Sequence, residues 1–114
     1  MTFLSSLFGL KSPQSDKIEI LDTATFKVAI LEKKVQLVDV RTAQEFHSGY
    51  IGNAINIDYF KQENFKTLFE KFDKNKPVYL YCRSGNRSQK AARKLISMGF
   101  TRIYDLKGGY LNWN

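Results

Sequence analysis

The chain is poor in the residues that bind metals or form disulfides. Its 114 residues include one cysteine and one histidine. A single cysteine excludes an internal disulfide, so any resolving thiol must come from another molecule. No Cys-x-x-Cys motif or histidine pair is present, and we therefore expect neither a metal site nor a bound cofactor. His47 has no partner ligands in the sequence and is predicted to lie on the surface.

Long hydrophobic runs are also missing. The first ten residues are apolar, but a transmembrane helix needs about 20 such residues. No basic segment precedes them and no small-residue cleavage site follows, so a signal peptide is not expected. The sequence therefore predicts a cytoplasmic protein without stable membrane insertion. Phe3, Leu4, Leu7 and Phe8 have helical spacing, which is typical of an arm that packs on the domain or a partner, or that touches a membrane surface transiently.

The rest of the composition is that of one ordinary globular domain. Hydrophobic residues make up 43% of the chain and charged residues 25%. This length suffices to bury a core without disulfides or metal. Pro13 lies in a polar stretch that is typical of a linker. We therefore predict an N-terminal arm and linker over residues 1–17 and a single domain over residues 18–114.

Strand-like and helical patterns alternate along this domain. Helices are predicted from Asp22 to about Leu31, around the aromatic stripe that starts at Phe65, and from the cysteine loop to about Met98. Strands are predicted at residues 18–20, 36–40, within 50–57, 78–81 and 102–106. This alternation predicts an α/β fold with a central parallel sheet of about five strands and helices on both faces. In such sheets, ligands bind outside the carboxyl ends of the strands.

The only cysteine, Cys82, stands at such an end, between an apolar run and an amphipathic helical pattern. A strand that turns directly into a helix leaves several N–H groups without helical partners. These donors and the helix dipole favour a thiolate over a thiol. Arg83 and Arg87 add positive charge, and Gly85 permits a positive φ. Because the loop is polar, we predict an unburied, nucleophilic cysteine rather than a core residue.

The segment from Cys82 to Arg87 resembles the active-site loop of the rhodanese-domain sulfurtransferases, in which four residues separate the cysteine from an arginine. Cysteine-dependent phosphatases, including those of the same fold, typically have five. The resemblance extends, in the family's order, over about residues 18–113. Its other motifs are Leu37-Val38-Asp39-Val40-Arg41 with Glu45-Phe46, Ala54-Ile55-Asn56-Ile57, and Leu106-Lys107-Gly108-Gly109 with Trp113.

The resemblance implies a rhodanese-like fold and sulfur transfer through a persulfide on Cys82. It implies a small anionic sulfur donor, namely thiosulfate or a persulfide. The acceptor would be cyanide, a small thiol or a thioredoxin-like dithiol protein. Backbone N–H groups of the loop would stabilise the persulfide, and its two arginines would hold the donor. The substrate-binding residues implied are Arg83, Ser84, Gly85, Asn86, Arg87 and Ser88.

Three residues are expected to support the site. The resemblance implies that Arg41 pairs with Glu45 and that Asp39 holds the strand–loop junction. The chain departs from the family where Gly-His-Ile-Pro-Gly-Ala is usual, because residues 49–54 read Gly-Tyr-Ile-Gly-Asn-Ala. Asparagine tolerates the left-handed conformation best among non-glycine residues, so Asn53 is predicted to keep this turn.

Positive charge is concentrated near the cysteine loop. Residues 82–107 contain seven basic residues and one acidic residue, which is six of the formal net charge of +7. A solvated helix face accounts for Lys90, Arg93 and Lys94, and the resulting field would draw small anions. No aromatic stacking platform or recognised motif accompanies these residues, so nucleic-acid binding is not predicted.

Two other functions remain open at this point. One is a partner-binding module of the same fold that catalyses no reaction. Such modules often lack the cysteine, so Cys82 favours an enzyme. The other is a cysteine-dependent phosphatase or arsenate reductase, which the four-residue spacing disfavours.

Overall fold

The computed structural model describes residues 15–32 and 34–114, so most of the predicted arm and linker lies outside the described residues. Five strands form one parallel sheet in the order β1-β5-β4-β2-β3. The predicted α/β fold with a five-stranded parallel sheet is thereby confirmed. The strands are β1 (Ile18–Leu21), β2 (Gln36–Asp39), β3 (Ile55–Asn56), β4 (Val78–Tyr81) and β5 (Ile103–Leu106).

Four α-helices connect these strands. Helix α1 begins after Asp22, whose carboxylate accepts a hydrogen bond from the Thr25 N–H at 2.8 Å. It ends at Ala29, two residues before the predicted end. Beyond the last helix, Gly99 has a φ of +104°, as a C-terminal glycine commonly does. The helices are α1 (Thr23–Ala29), α2 (Ala43–His47), α3 (Gln62–Phe69) and α4 (Asn86–Ser97).

The helices cover both faces of the sheet, as predicted. On one face, Phe65 of α3 and Leu95 of α4 pack with Leu80 of β4. On the other, Phe26 of α1 packs with Tyr81 of β4. Successive residues of each strand thus enter different cores, which is why the strands read as continuous apolar runs. Within the described residues, no helix has the length and apolar character to cross a membrane.

The turn before β3 differs from the prediction. Gly52, not Asn53, adopts the positive φ, at +50°. Glycine has no Cβ and enters this region at little steric cost, so the asparagine beside it keeps an ordinary backbone conformation. The prediction for Asn53 was therefore wrong.

Candidate active site

The Cys82 side chain is buried, with 1% of its surface exposed, although the residues after it are polar. The prediction of an unburied cysteine was wrong for a geometric reason. Cys82 continues the alternation of β4, so its side chain points to the same face as Leu80 and joins the core beneath α4. Arg83 and Ser84 next to it are exposed. The sulfur therefore lies at the bottom of the loop and not on its rim.

Two groups of the loop contact the sulfur directly. The Gly85 N–H donates to Cys82 Sγ at 3.0 Å, and the thiol donates to the Ser88 hydroxyl at 3.4 Å. Gly85 precedes α4 with a φ of +109°, the positive φ expected of it from the sequence. Apart from its neighbours along the chain, no described residue comes within 4 Å of the position that a Cβ on Gly85 would take, so the loop is open at this point. A sulfur anion here would meet N–H donors and the positive end of a helix dipole.

The 3₁₀ turn Tyr110–Asn112 after β5 holds the outer side of the loop. The Tyr110 N–H donates to the Cys82 carbonyl at 2.8 Å, and the Leu111 N–H donates to the Arg83 carbonyl at 3.0 Å. In a trans peptide the C=O and N–H point in opposite directions. Fixing these two carbonyls outward therefore turns the next two N–H groups, of Arg83 and Ser84, towards the inside of the loop.

Gly109 makes this close approach possible. A Cβ on Gly109 would lie 2.6 Å from the carbonyl oxygens of both Cys82 and Arg83. Only glycine fits between the turn and the loop. Sequence reasoning missed this role of Gly109 and the hydrogen bond of Tyr110. The signal was the Gly-Gly pair after the last strand, which entered only as part of the family resemblance.

Arg87 pairs with Glu45 of α2. Its two terminal nitrogens donate to the two carboxylate oxygens at 2.7 and 3.0 Å. The hydrogen bonds from Arg87 lower the pKa of Glu45 to about 2, and those to Glu45 raise the pKa of Arg87. Glu45 also completes a capping box with Thr42 at the start of α2. The ion pair thus ties the start of α4 to α2.

The predicted pair of Arg41 with Glu45 is therefore wrong. Arg41 pairs instead with Asp39, with Nη2 and Oδ2 2.6 Å apart and both residues buried. Arg41 precedes the N-cap residue Thr42, so it does not share a helical face with Glu45. Its guanidinium also donates to the Gly49 carbonyl at 2.7 Å and lies 4.2 Å from the centre of the Tyr110 ring.

Asn56 is a further supporting residue that sequence reasoning did not single out. Its side-chain amide donates to the carbonyls of Asp39 and Arg41 at 3.0 and 2.9 Å. These bonds join the ends of β2 and β3, and Arg41 joins the same junction to the ring of Tyr110. Asp39, Arg41 and Asn56 thus brace the 3₁₀ turn that holds the cysteine loop.

The remaining predicted residues lie at the mouth of the loop. Arg83, Ser84 and Asn86 are exposed, and Arg83 makes no ion pair with any residue that the structure describes. The aromatic ring of Phe60, which is 64% exposed, lies 5.3 Å from the Arg87 guanidinium. The mouth therefore combines the cation of Arg83, which has no ion-pair partner among the described residues, with the exposed ring of Phe60.

Fold and site together define a class of protein: a parallel α/β domain with a buried cysteine at the junction of its central strand and a helix. The sequence profile of the rhodanese-like domain matches residues 22–114. The chain belongs to the rhodanese-like domain family.

Individual relatives agree with this assignment. The chain is 43% identical over 81 residues to the uncharacterized protein YqhL of Bacillus subtilis, across 71% of this chain and 62% of that protein. It is 38% identical over 85 residues to the thiosulfate sulfurtransferase GlpE of Pseudomonas savastanoi, across 75% of this chain and 77% of that protein. A rhodanese-like domain protein from Staphylococcus aureus has a similar structure, with a TM-score of 0.73 and 34% sequence identity. The match covers 84% of this chain and 91% of that one.

Proposed function

We propose that this protein is a sulfurtransferase that moves a sulfane sulfur from thiosulfate or a persulfide donor to a thiophilic acceptor through a persulfide on Cys82. The observation that carries the proposal is the 3.0 Å hydrogen bond from the Gly85 N–H to Cys82 Sγ at the start of α4. It supports an anionic sulfur at this position, which both the attacking thiolate and the persulfide require. The similarity to a thiosulfate sulfurtransferase supports the same chemistry.

In the first half-reaction, the Cys82 thiolate attacks the outer sulfur of thiosulfate. An S–S bond forms between Cys82 and that sulfur while the S–S bond within thiosulfate breaks, and its electron pair leaves with sulfite. The product persulfide carries the negative charge on its terminal sulfur. N–H groups of the loop, including those turned inward by the bonds of Tyr110 and Leu111, are suited to stabilise that charge.

In the second half-reaction, an acceptor such as cyanide attacks the terminal sulfur of the persulfide. The new C–S bond gives thiocyanate, and the electron pair of the S–S bond returns to Cys82 as thiolate. A small thiol or a thioredoxin-like dithiol protein would act in the same way and become a persulfide itself. The chain has one cysteine, so the acceptor thiol must come from outside.

The two loop arginines have different roles in this proposal. Arg87 is engaged by both oxygens of Glu45, so its main contribution is to hold the loop against α2. Arg83 is exposed and makes no ion pair with the described residues, so it is the cation available to an anionic donor. A carboxylate already satisfies Arg87, and donor capture therefore depends mainly on Arg83.

Thiocyanate formation from thiosulfate and cyanide tests the proposal. Arg83→Ala should lower kcat/KM about tenfold, the value of one charge-assisted contact, while unfolding at the same temperature as the parent protein. Arg93→Ala on the exposed face of α4 removes an equal charge and is the matched control, expected to change kcat/KM little. Equal effects of the two variants would remove the donor-binding role of Arg83.

A second assay, aryl-phosphate hydrolysis, separates the alternative functions. A phosphoryl group in transfer carries three equatorial oxygens and needs a wider ring of donors than a single sulfur atom. We therefore expect aryl-phosphate hydrolysis no faster than in a Cys82→Ser control. Robust hydrolysis by the parent protein would favour a phosphatase. Absence of both activities with an alkylatable cysteine would contradict thiosulfate as donor and favour a binding module or a dedicated persulfide donor.

A further inference from the structure

A buried carboxyl group lies behind the cysteine loop. Asp105 of β5 is 2% exposed and makes no ion pair with the residues that the structure describes. The Gln89 side chain donates to its Oδ2 at 2.5 Å, but its Oδ1 has no hydrogen-bond partner among these residues. A buried carboxylate oxygen without a partner is costly, and such costs are commonly retained at functional positions.

The Ser88 hydroxyl contacts the sulfur, and its neighbour in α4, Gln89, binds the carboxyl group of Asp105. Burial raises the pKa of Asp105 to about 6, and the Gln89 amide, the nearby Ser88 hydroxyl and the Leu106 N–H oppose this rise. Ser88 is fully buried and its oxygen accepts from the Cys82 thiol. Among the described residues, Ser88 supplies the one side-chain hydroxyl that hydrogen-bonds to Sγ, and it lies in the same turn of α4 as Gln89, which binds the carboxyl group of Asp105.

The direction of the Ser88 hydroxyl follows from counting hydrogens. The hydroxyl has one hydrogen, which it donates to the Gly85 carbonyl at 3.2 Å while the Cys82 thiol donates to its oxygen. A thiolate has no hydrogen to donate, and it gains a second donor besides the Gly85 N–H only if the Ser88 O–H turns towards it. An ionised Asp105 competes for that same hydrogen. A protonated Asp105 instead donates to the Ser88 oxygen and leaves the hydroxyl hydrogen free for the sulfur.

We propose that Asp105 is a positioning residue that sets the direction of the Ser88 hydroxyl and thereby the balance between thiol and thiolate at Cys82. The proposal deepens the proposed function, because it concerns the ionisation of the same sulfur. Its test measures the alkylation rate of the cysteine and needs no sulfur donor. The proposal can therefore fail while the proposed function stands, and the reverse.

The surroundings of Asp105 contain few groups that could act in its place. Helix α4 presents the uncharged side chains of Ser88 and Gln89. In β4, Leu80 pairs in register with Asp105. The Cys82 thiol follows β4 and contacts the Ser88 hydroxyl. In β1, Ile20 pairs in register with Asp105. The titratable groups in this layer are the carboxyl of Asp105 and the thiol of Cys82. The charge of Arg87 in α4 also acts on Cys82, but it is held by Glu45 in every variant tested.

The test is the rate of alkylation by iodoacetamide, a neutral reagent, measured from pH 5 to 9. Asp105→Asn keeps the size and a donor but removes the charge, so the pH of half-maximal rate should fall by about one unit, equal to one charge-assisted hydrogen bond. Asp73→Asn, on the exposed turn before β4, removes the same charge and should leave the profile unchanged. No downward shift in a folded Asp105→Asn variant would overturn the proposal.

Ser88 variants test whether the effect passes through the hydroxyl. Ser88→Ala should raise the pH of half-maximal alkylation, because the thiolate loses a donor, and Ser88→Thr should restore it. Adding Asp105→Asn to Ser88→Ala should produce no further shift. An equal shift in both backgrounds would show a through-space charge effect and contradict the proposed route. If Asp105→Asn does not fold, an unchanged alkylation profile in Ser88→Ala would still overturn the proposal, because the proposed route requires the Ser88 hydroxyl.

Discussion

At the scale of single residues, Gly109 is a position where the contact between turn and loop leaves no room for a side chain. Gly109→Ala would place a Cβ 2.6 Å from two backbone oxygens at a φ of +64°. We expect it to lower the free energy of unfolding by more than about 2 kcal/mol, and sulfur transfer with it, because backbone cannot move aside cheaply.

Gly99→Ala is the matched control for this prediction. Its φ is also positive, at +104°, but its Cβ would meet only the Lys74 side chain at 3.7 Å. The expected loss is about 1 kcal/mol, with catalysis unchanged in the folded protein. Chemical denaturation and thiocyanate formation measure both quantities. Equal losses for the two variants would mean that the contact between loop and turn is unimportant.

The Glu45–Arg87 ion pair should make stability depend on acid pH. The pKa of Glu45 falls from 4.5 to about 2 on folding, mainly through the hydrogen bonds from Arg87. A lowered carboxyl pKa stabilises the fold fully above the unfolded value and loses this effect as pH falls through the folded value. Glu45→Gln should therefore cost about 1 kcal/mol at pH 7, after allowance for solvent screening, and almost nothing near pH 2.

The matched control is Glu70→Gln, which breaks the exposed pair between Glu70 and Lys74 on the surface. We expect little change in stability, because exposed ion pairs contribute little. Urea denaturation at several pH values provides the comparison. A cost for Glu45→Gln that stays constant between pH 7 and pH 2 would show that its loss does not arise from ionisation.

At the scale of elements, the loop between β4 and α4 decides between sulfur and phosphorus chemistry. Inserting one glycine between Gly85 and Asn86 should widen the ring of N–H groups and lower thiosulfate turnover at least about tenfold, because a 1 Å misplacement costs rate steeply. A glycine inserted at Asn75, in the exposed turn before β4, is the control. Unchanged turnover after the loop insertion would refute the argument from loop length.

How much of this loop could be predicted depends on what is local in sequence. The strand–loop–helix order and the positive φ of Gly85 follow from a short apolar run, a glycine and an amphipathic pattern. The ion-pair partners of Glu45 and Arg41 could not be predicted in this way, because they depend on where α2 begins relative to β2. The burial of Cys82 could have been predicted by continuing the alternation of β4 one residue further.

The position of Asp105 shows the same limit between distant segments. Asp105 was visible in the sequence as the one acidic residue among basic ones, but its burial against α4 depends on the parallel pairing of β4 with β5. The order of the five strands is likewise not encoded in any one segment. Alternation of helix and strand predicts the class of sheet, while the family resemblance carries the topology.

At the scale of the whole molecule, the net charge of +7 should speed the capture of an anionic donor. Raising the salt concentration from about 0.02 to about 0.5 M should lower kcat/KM for thiosulfate several-fold, because exposed charges are screened. Alkylation by neutral iodoacetamide should change little over the same range and is the control. A thiosulfate rate that is independent of salt would exclude electrostatic steering.

The central claim is that Cys82 carries the transferred sulfur, and the mass of the intact protein tests it most directly. After incubation with thiosulfate and removal of excess reagent, the parent protein should gain about 32 Da, one sulfur atom, and lose it again on addition of cyanide. Cys82→Ser should gain nothing. An unchanged mass of the parent protein, or the same gain in Cys82→Ser, would contradict a persulfide on Cys82.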